Sequence, residues 1–155
     1  MAGWAERARR LLPGLWAGWQ LCVALLATPA AFAELTRADV GRVVGRMLAQ
    51  EAYTSLALGL LLLILERGAA RRAAEAGRGS QFSPGIGLAL GTLFCTVAGY
   101  FVVEPMMVQA RAGQGPLSFG QLHAVSSAFF IVKFGLILAL AWRATRGATA
   151  PAPSS

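Results

Sequence analysis

The chain has 155 residues, 56% hydrophobic and 14% charged, with a mean hydropathy of +0.58. Soluble domains carry about a quarter charged residues, so these values exclude an ordinary water-soluble domain and point to a membrane protein. The basic excess, 14 Lys and Arg against 7 Asp and Glu, is interrupted by long apolar runs, so it reads as membrane orientation and not as nucleic-acid binding.

A membrane-spanning helix needs ~20 mostly apolar residues, and four segments qualify. The first is Leu11 to Phe32, behind a basic amino end over 1–10. Arg7, Arg9 and Arg10, then the apolar run, then Ala31-Phe32-Ala33 also fit a signal peptide. The run is long for that purpose, however, and it contains Trp16, Trp19 and Gln20, so a retained span is expected. Small residues at i+4 steps, Gly14, Gly18 and Cys22, mark a packing face. Pro29 removes a backbone bond near the end of the span and frees the Leu25 carbonyl.

Thr36-x-x-Asp39 is a capping box that opens the next helix at Arg37. Nothing is expected to break that helix before Gly68. It outruns the hydrocarbon thickness, which puts its first half outside the membrane and its span over roughly Met47 to Leu65. Glu51, one turn inside that span, is counted with the outer polar groups. The stretch from Arg67 to Pro84 reads as a flexible basic linker.

Ser83-Pro84 starts the third helix, with proline in the first helical position. Its span is Gly85 to Val103, with Gly87, Gly91, Cys95 and Gly99 as a second small-residue stripe. Pro105 is a kink that frees the Phe101 carbonyl. Ser118-x-x-Gln121 is another capping box, opening a fourth span over roughly His123 to Trp142. The tail, 143–155, has low complexity and reads as disordered. Two hairpins with a proline near the same end of each are compatible with a parallel repeat.

Sorting arginines by segment gives an orientation. Nine fall in the amino end, the linker and the tail, and four, Arg37, Arg42, Arg46 and Arg111, on the other side. The positive-inside rule places both termini in the cytoplasm. The basic inner rim would favour anionic lipid headgroups.

The fourth span holds the only histidine, His123, and the only lysine, Lys133. Ser126, Ser127, Phe130 and Lys133 follow His123 on one broad helical face. Intramembrane ionisable residues are costly and face a bundle interior or a wet cavity. His123 lies at the outer end, where it could also cap packing against Glu104 or a freed carbonyl. Lys133 lies ~15 Å deeper, too far from either surface to snorkel. With no acid expected at its depth, it must be neutral, satisfied by carbonyls and water, or reached through a thinned bilayer. Asp39, Arg42, Arg46, Glu51, Tyr53, Glu104, Arg111, His123 and Ser126 collect on the outer side. They read as a solvated mouth or as a ring of salt bridges. Met106, Met107 and His123 are candidate ligands for a soft metal. Haem would need a second axial ligand. No nucleophile–base pair, phosphate loop or paired carboxylates are present, so no enzyme and no cofactor is expected.

Trp16-x-Gly18, Pro29 with Phe32, Gly41-x-x-x-Gly45-Arg46, Tyr100-x-x-x-Glu104-Pro105-Met106 and Phe119-x-x-x-His123-x-x-Ser126 occur in that order. With this spacing the chain, over Leu11 to Trp142, resembles the transmembrane protein 205-like family, whose bacterial members are domains of unknown function. The resemblance implies four helices in a membrane and no established activity. Members of that family often carry a small or polar residue after His123, or an amide about two turns on. Ala124 and Phe130 stand in those places here.

The expectation is an all-α integral membrane four-helix bundle over 11–142, in a bacterial inner membrane, with both termini cytoplasmic. It would handle a small solute or ion through an outward-facing mouth. Arg46, Glu104, His123 and Ser126 would line that mouth, and Lys133 would set its inner polarity. The alternatives are a scaffold subunit that binds partner helices or a second copy of itself, and a metal- or haem-binding redox bundle.

Overall fold

The structure, a computed structural model, describes residues 2–146. Its described residues form helices joined by short loops. They are α1 (Ala2–Leu21), a π-helical turn (Cys22–Ala27), α2 (Thr28–Glu34), α3 (Arg37–Glu75), α4 (Pro84–Thr96), a second π-helical turn (Val97–Val102), α5 (Val103–Arg111) and α6 (Phe119–Arg146). Four continuous helical stretches, Gly3–Glu34, Arg37–Glu75, Pro84–Arg111 and Phe119–Thr145, are long and apolar enough to cross a membrane. Consecutive spans pack side by side, and α6 closes the ring against α1.

The boundaries follow local chemistry. The Thr36 hydroxyl accepts from the Asp39 amide at 3.3 Å, and Ser83 does the same for Ile86 at 3.4 Å. Ser118 and Gln121 satisfy each other's amides, at 2.9 Å and 3.3 Å. One boundary differs from the sequence reading: α3 does not stop near Gly68 but runs to Glu75. A mid-helix glycine costs only about 1 kcal/mol relative to alanine. The alanine-rich stretch behind it, with Arg71 paired to Glu75 at 3.0 Å, outweighs that cost. Arg67, Arg71 and Arg72 are therefore helical, and the linker shrinks to 76–83, with Gly77 at φ +69° ending the helix. Likewise α6 carries on to Arg146. The rest of the expected disordered tail, 147–155, lies outside the described residues.

Pro29 and Pro105 each follow a π-helical turn. The Thr28 amide donates to the Val23 carbonyl and the Val103 amide to the Ala98 carbonyl, each five residues back. Proline cannot donate, and its ring crowds the carbonyl four residues before it. A widened turn ahead of it relieves that crowding and, with one extra residue, rotates the next segment by roughly 100° relative to a continuing helix.

Apolar packing occupies one half of the bundle. Trp16, Ala17, Leu62, Ile137 and Leu140 are buried together, with Leu12, Leu58, Leu88 and Phe134 against them. The outside is also apolar: Leu15, Leu25, Leu26, Ile64, Phe94 and Ile131 are all exposed. Buried polar groups, Gln20, Glu51, Ser55, Glu66, Thr92, Thr96 and Lys133, are held inside. An apolar exterior around a partly polar interior is what hydrocarbon as solvent selects, because polar groups there must find partners within the protein.

Candidate functional site

The centre of the site is an ion pair between α3 and α6. Lys133 Nζ lies 2.9 Å from both carboxylate oxygens of Glu51 and 3.4 Å from Ser55 Oγ. Glu51 is 3% exposed and Lys133 4%. The Ser55 hydroxyl, one turn below Glu51, donates to Glu51 Oε1 at 2.5 Å. From α1, the Trp16 indole donates to Ser55 Oγ at 3.1 Å and the Gln20 amide to Glu51 Oε1 at 3.1 Å. Three helices thus converge on one carboxylate. A buried charge pair persists only when its remaining hydrogen-bonding capacity is met in this way.

This overturns the expectation that Lys133 has no acid at its depth. The sequence alone groups Glu51 with the polar residues of the outer mouth. Yet Glu51 and Lys133 each stand fifteen positions after a capping residue, Thr36 and Ser118 respectively. Both helices start at the same end of the bundle, so equal counts mean equal depth, about 22 Å along each helix at 1.5 Å per residue. Counting from the two capping boxes was the signal that would have found the pair.

Above the pair the bundle opens. A cavity of about 550 Å³ lies among all four spans at the end where α3 and α6 begin. Its walls are mostly apolar, with Glu104, Arg111, His123 and Ser126 as the main polar groups. The Arg111 guanidinium lies 4.5 Å over the Phe119 ring, and Phe119 stacks on His123 at 5.8 Å. Below it a small void of about 50 Å³ touches Glu51, Lys133, Cys95, Thr96 and Gly99. Leu48, Tyr100, Ser126 and Phe130 line both spaces, which makes them the boundary between mouth and ion pair. The opposite end is closed by the apolar core and by Arg9. Arg9 reaches Glu66 at 3.1 Å and Glu6 at 3.0 Å.

The structure thus brings Glu104, His123 and Ser126 to one cavity and Lys133 to the void beneath it. Arg46 is exposed and is not among the lining residues. Met107 lines the cavity with His123, whereas Met106 does not. Among the described residues, no group of three His, Cys, Asp or Glu is placed to hold a metal ion. Ser126 donates to the Gly99 carbonyl at 3.2 Å, inside the second π-helical turn. Ser55, Gln20 and Trp16 are the members of the cluster that the sequence reading did not assign to the site, and Glu51 is one that it places in the mouth and not beside Lys133.

Fold and site together define a multi-pass membrane bundle with an intramembrane ion pair at the foot of a cavity open at one end. The chain belongs to the family described as Domain of unknown function (DUF4149), which matches residues 11–116. No curated protein and no solved structure matches the chain.

Proposed function

We propose that the protein, without enzymatic chemistry, admits a small solute or ion from the open end of the bundle and meets it at Glu51 and Lys133. The observation that carries this reading is that the two spaces adjoin. The large cavity and the small void share four lining residues, and the void ends on an ion pair that the membrane makes costly. A charge pair kept only for stability would be better replaced by apolar side chains. The arginine distribution supports a cytoplasmic position for both termini and the closed end, with the mouth facing out of a bacterial inner membrane. The ordered motifs support kinship with the transmembrane protein 205-like family.

Thiol labelling tests the path. In a Cys22→Ala/Cys95→Ala background, Ser126→Cys should react with a charged, membrane-impermeant thiol reagent. Gly45 lines the cavity with open space around its α-carbon, so adding Gly45→Trp should slow that reaction sharply. A Leu90→Cys control, exposed on the outside of the bundle two turns into α4, should stay unreactive. An inert Ser126→Cys in folded protein would refute the open path.

A second reading has its own observation. Gly14, Gly18 and Cys22 lie exposed on α1 and the first π-helical turn, where a further helix could approach closely. Loss of a co-purifying partner or of self-association in Gly18→Leu, with the monomer still folded, would favour a scaffold.

A further inference from the structure

The hydrogen-bonding valences around the ion pair are unequal. The Lys133 ammonium has its donors matched by Glu51 Oε1, Glu51 Oε2 and Ser55 Oγ. Glu51 Oε1 accepts from Lys133, Gln20 and Ser55, but Glu51 Oε2 accepts only from Lys133. Gln20 Oε1, in a residue of 0% exposure, has no partner. In the void, the Thr96 hydroxyl spends its hydrogen on the Thr92 carbonyl and the Ser126 hydroxyl on the Gly99 carbonyl. Both therefore present lone pairs there. The unmet capacity of the cluster is acceptor capacity, beside a carboxylate and in a space that holds a single ion or a water or two.

We infer that Glu51, with the Thr96 and Ser126 hydroxyls and the void they line, is a binding site for a small alkali cation that enters in exchange for a proton from Lys133. This rests on the open path proposed above and names what travels along it. The balance is electroneutral. The cation enters the void and is held by Glu51 Oε2. The Lys133 ammonium releases one proton to water in the mouth and becomes an amine. The pair of charges at the centre is then cation and carboxylate in place of ammonium and carboxylate. Exchange avoids leaving a net charge in low dielectric, which either event alone would do. The groups facing Lys133 are Glu51 on α3, Cys95 on α4 and Tyr100 in the second π-helical turn; from α1 come the uncharged Gln20 and Trp16, which complete the cluster.

The test uses the whole chain in detergent. Its unfolding temperature is measured in lithium, sodium or potassium chloride against choline chloride at equal concentration and over a range of pH. At least one alkali cation should raise the unfolding temperature above choline, as a ligand of the native state must. Its apparent affinity should rise about tenfold per pH unit, as release of one proton demands. Glu51→Gln keeps the shape of the side chain but removes the carboxylate, and should lose the cation response. No difference between the three cations and choline in wild-type protein would overturn the proposal, and so would a wild-type affinity that does not change with pH or a cation response that survives Glu51→Gln. If Ser126→Cys still labels in that case, the open path stands and only the cation assignment falls. If it does not label, both fall.

Discussion

A carboxylate and an ammonium held 2.9 Å apart in the middle of a bundle make opposite demands on a mutation. Removing one partner strands the other charge, at about 3–5 kcal/mol for a buried pair. Removing both removes the need for either. Lys133→Met or Glu51→Met alone should lower the unfolding temperature markedly, whereas Glu51→Met/Lys133→Met should recover most of the loss. Thermal unfolding in one detergent measures this. A double variant as unstable as the worse single would mean that Ser55, Gln20 and Trp16 hold the site without needing the pair. Each ionisable group was visible as a residue type in the sequence. The contact was not, because 82 positions separate the partners and only the depth of two helix starts relates them.

At the scale of elements, close approach decides which glycines matter. A Cβ on Gly85 would collide with the Glu66 carboxylate, while one on Gly87 meets nothing within 4 Å. Gly85 therefore makes room for the carboxylate that Arg9 binds at the closed end. Gly85→Ala should destabilise by about 1–3 kcal/mol, the usual cost of overpacking, and Gly87→Ala should not; denaturation of the two variants side by side checks this. The stripe of small residues on the third span was legible, but which members pack was not. Gly91 faces Leu136 and Gly99 faces Phe129, whereas Gly87 faces outward, since i+4 steps drift around a helix of 3.6 residues per turn. The two hairpins also share a device: a π-helical turn ahead of a proline, then a capped helix with an ionisable residue fifteen positions on. That shared order supports the parallel repeat suggested by the sequence.

At the scale of the whole molecule, four spans put the 76–83 loop and the 112–118 loop at opposite ends of the bundle. In the orientation proposed from the arginine count, the first faces the cytoplasm. In a cysteine-free background, Gln114→Cys should be labelled by an impermeant reagent in intact cells, and Arg78→Cys only after lysis. The reverse pattern would turn the mouth inward and change which compartment supplies its ligand, without altering the site.

Composition and hydropathy runs determined that the chain is a four-span helical membrane protein, because hydrocarbon permits few alternatives to a helix of that length. Capping boxes and prolines determined where helices begin and where they are disturbed, because those effects act within one turn. The count from two capping boxes put Glu51 and Lys133 at one depth; tertiary structure alone decided that their faces meet, and that Arg46 stays outside the cavity. It also decided that one end of the bundle is packed and the other open. These depend on which faces of four helices meet, and on two widened turns that reorient the segments beyond them. No local pattern of residues carries that information.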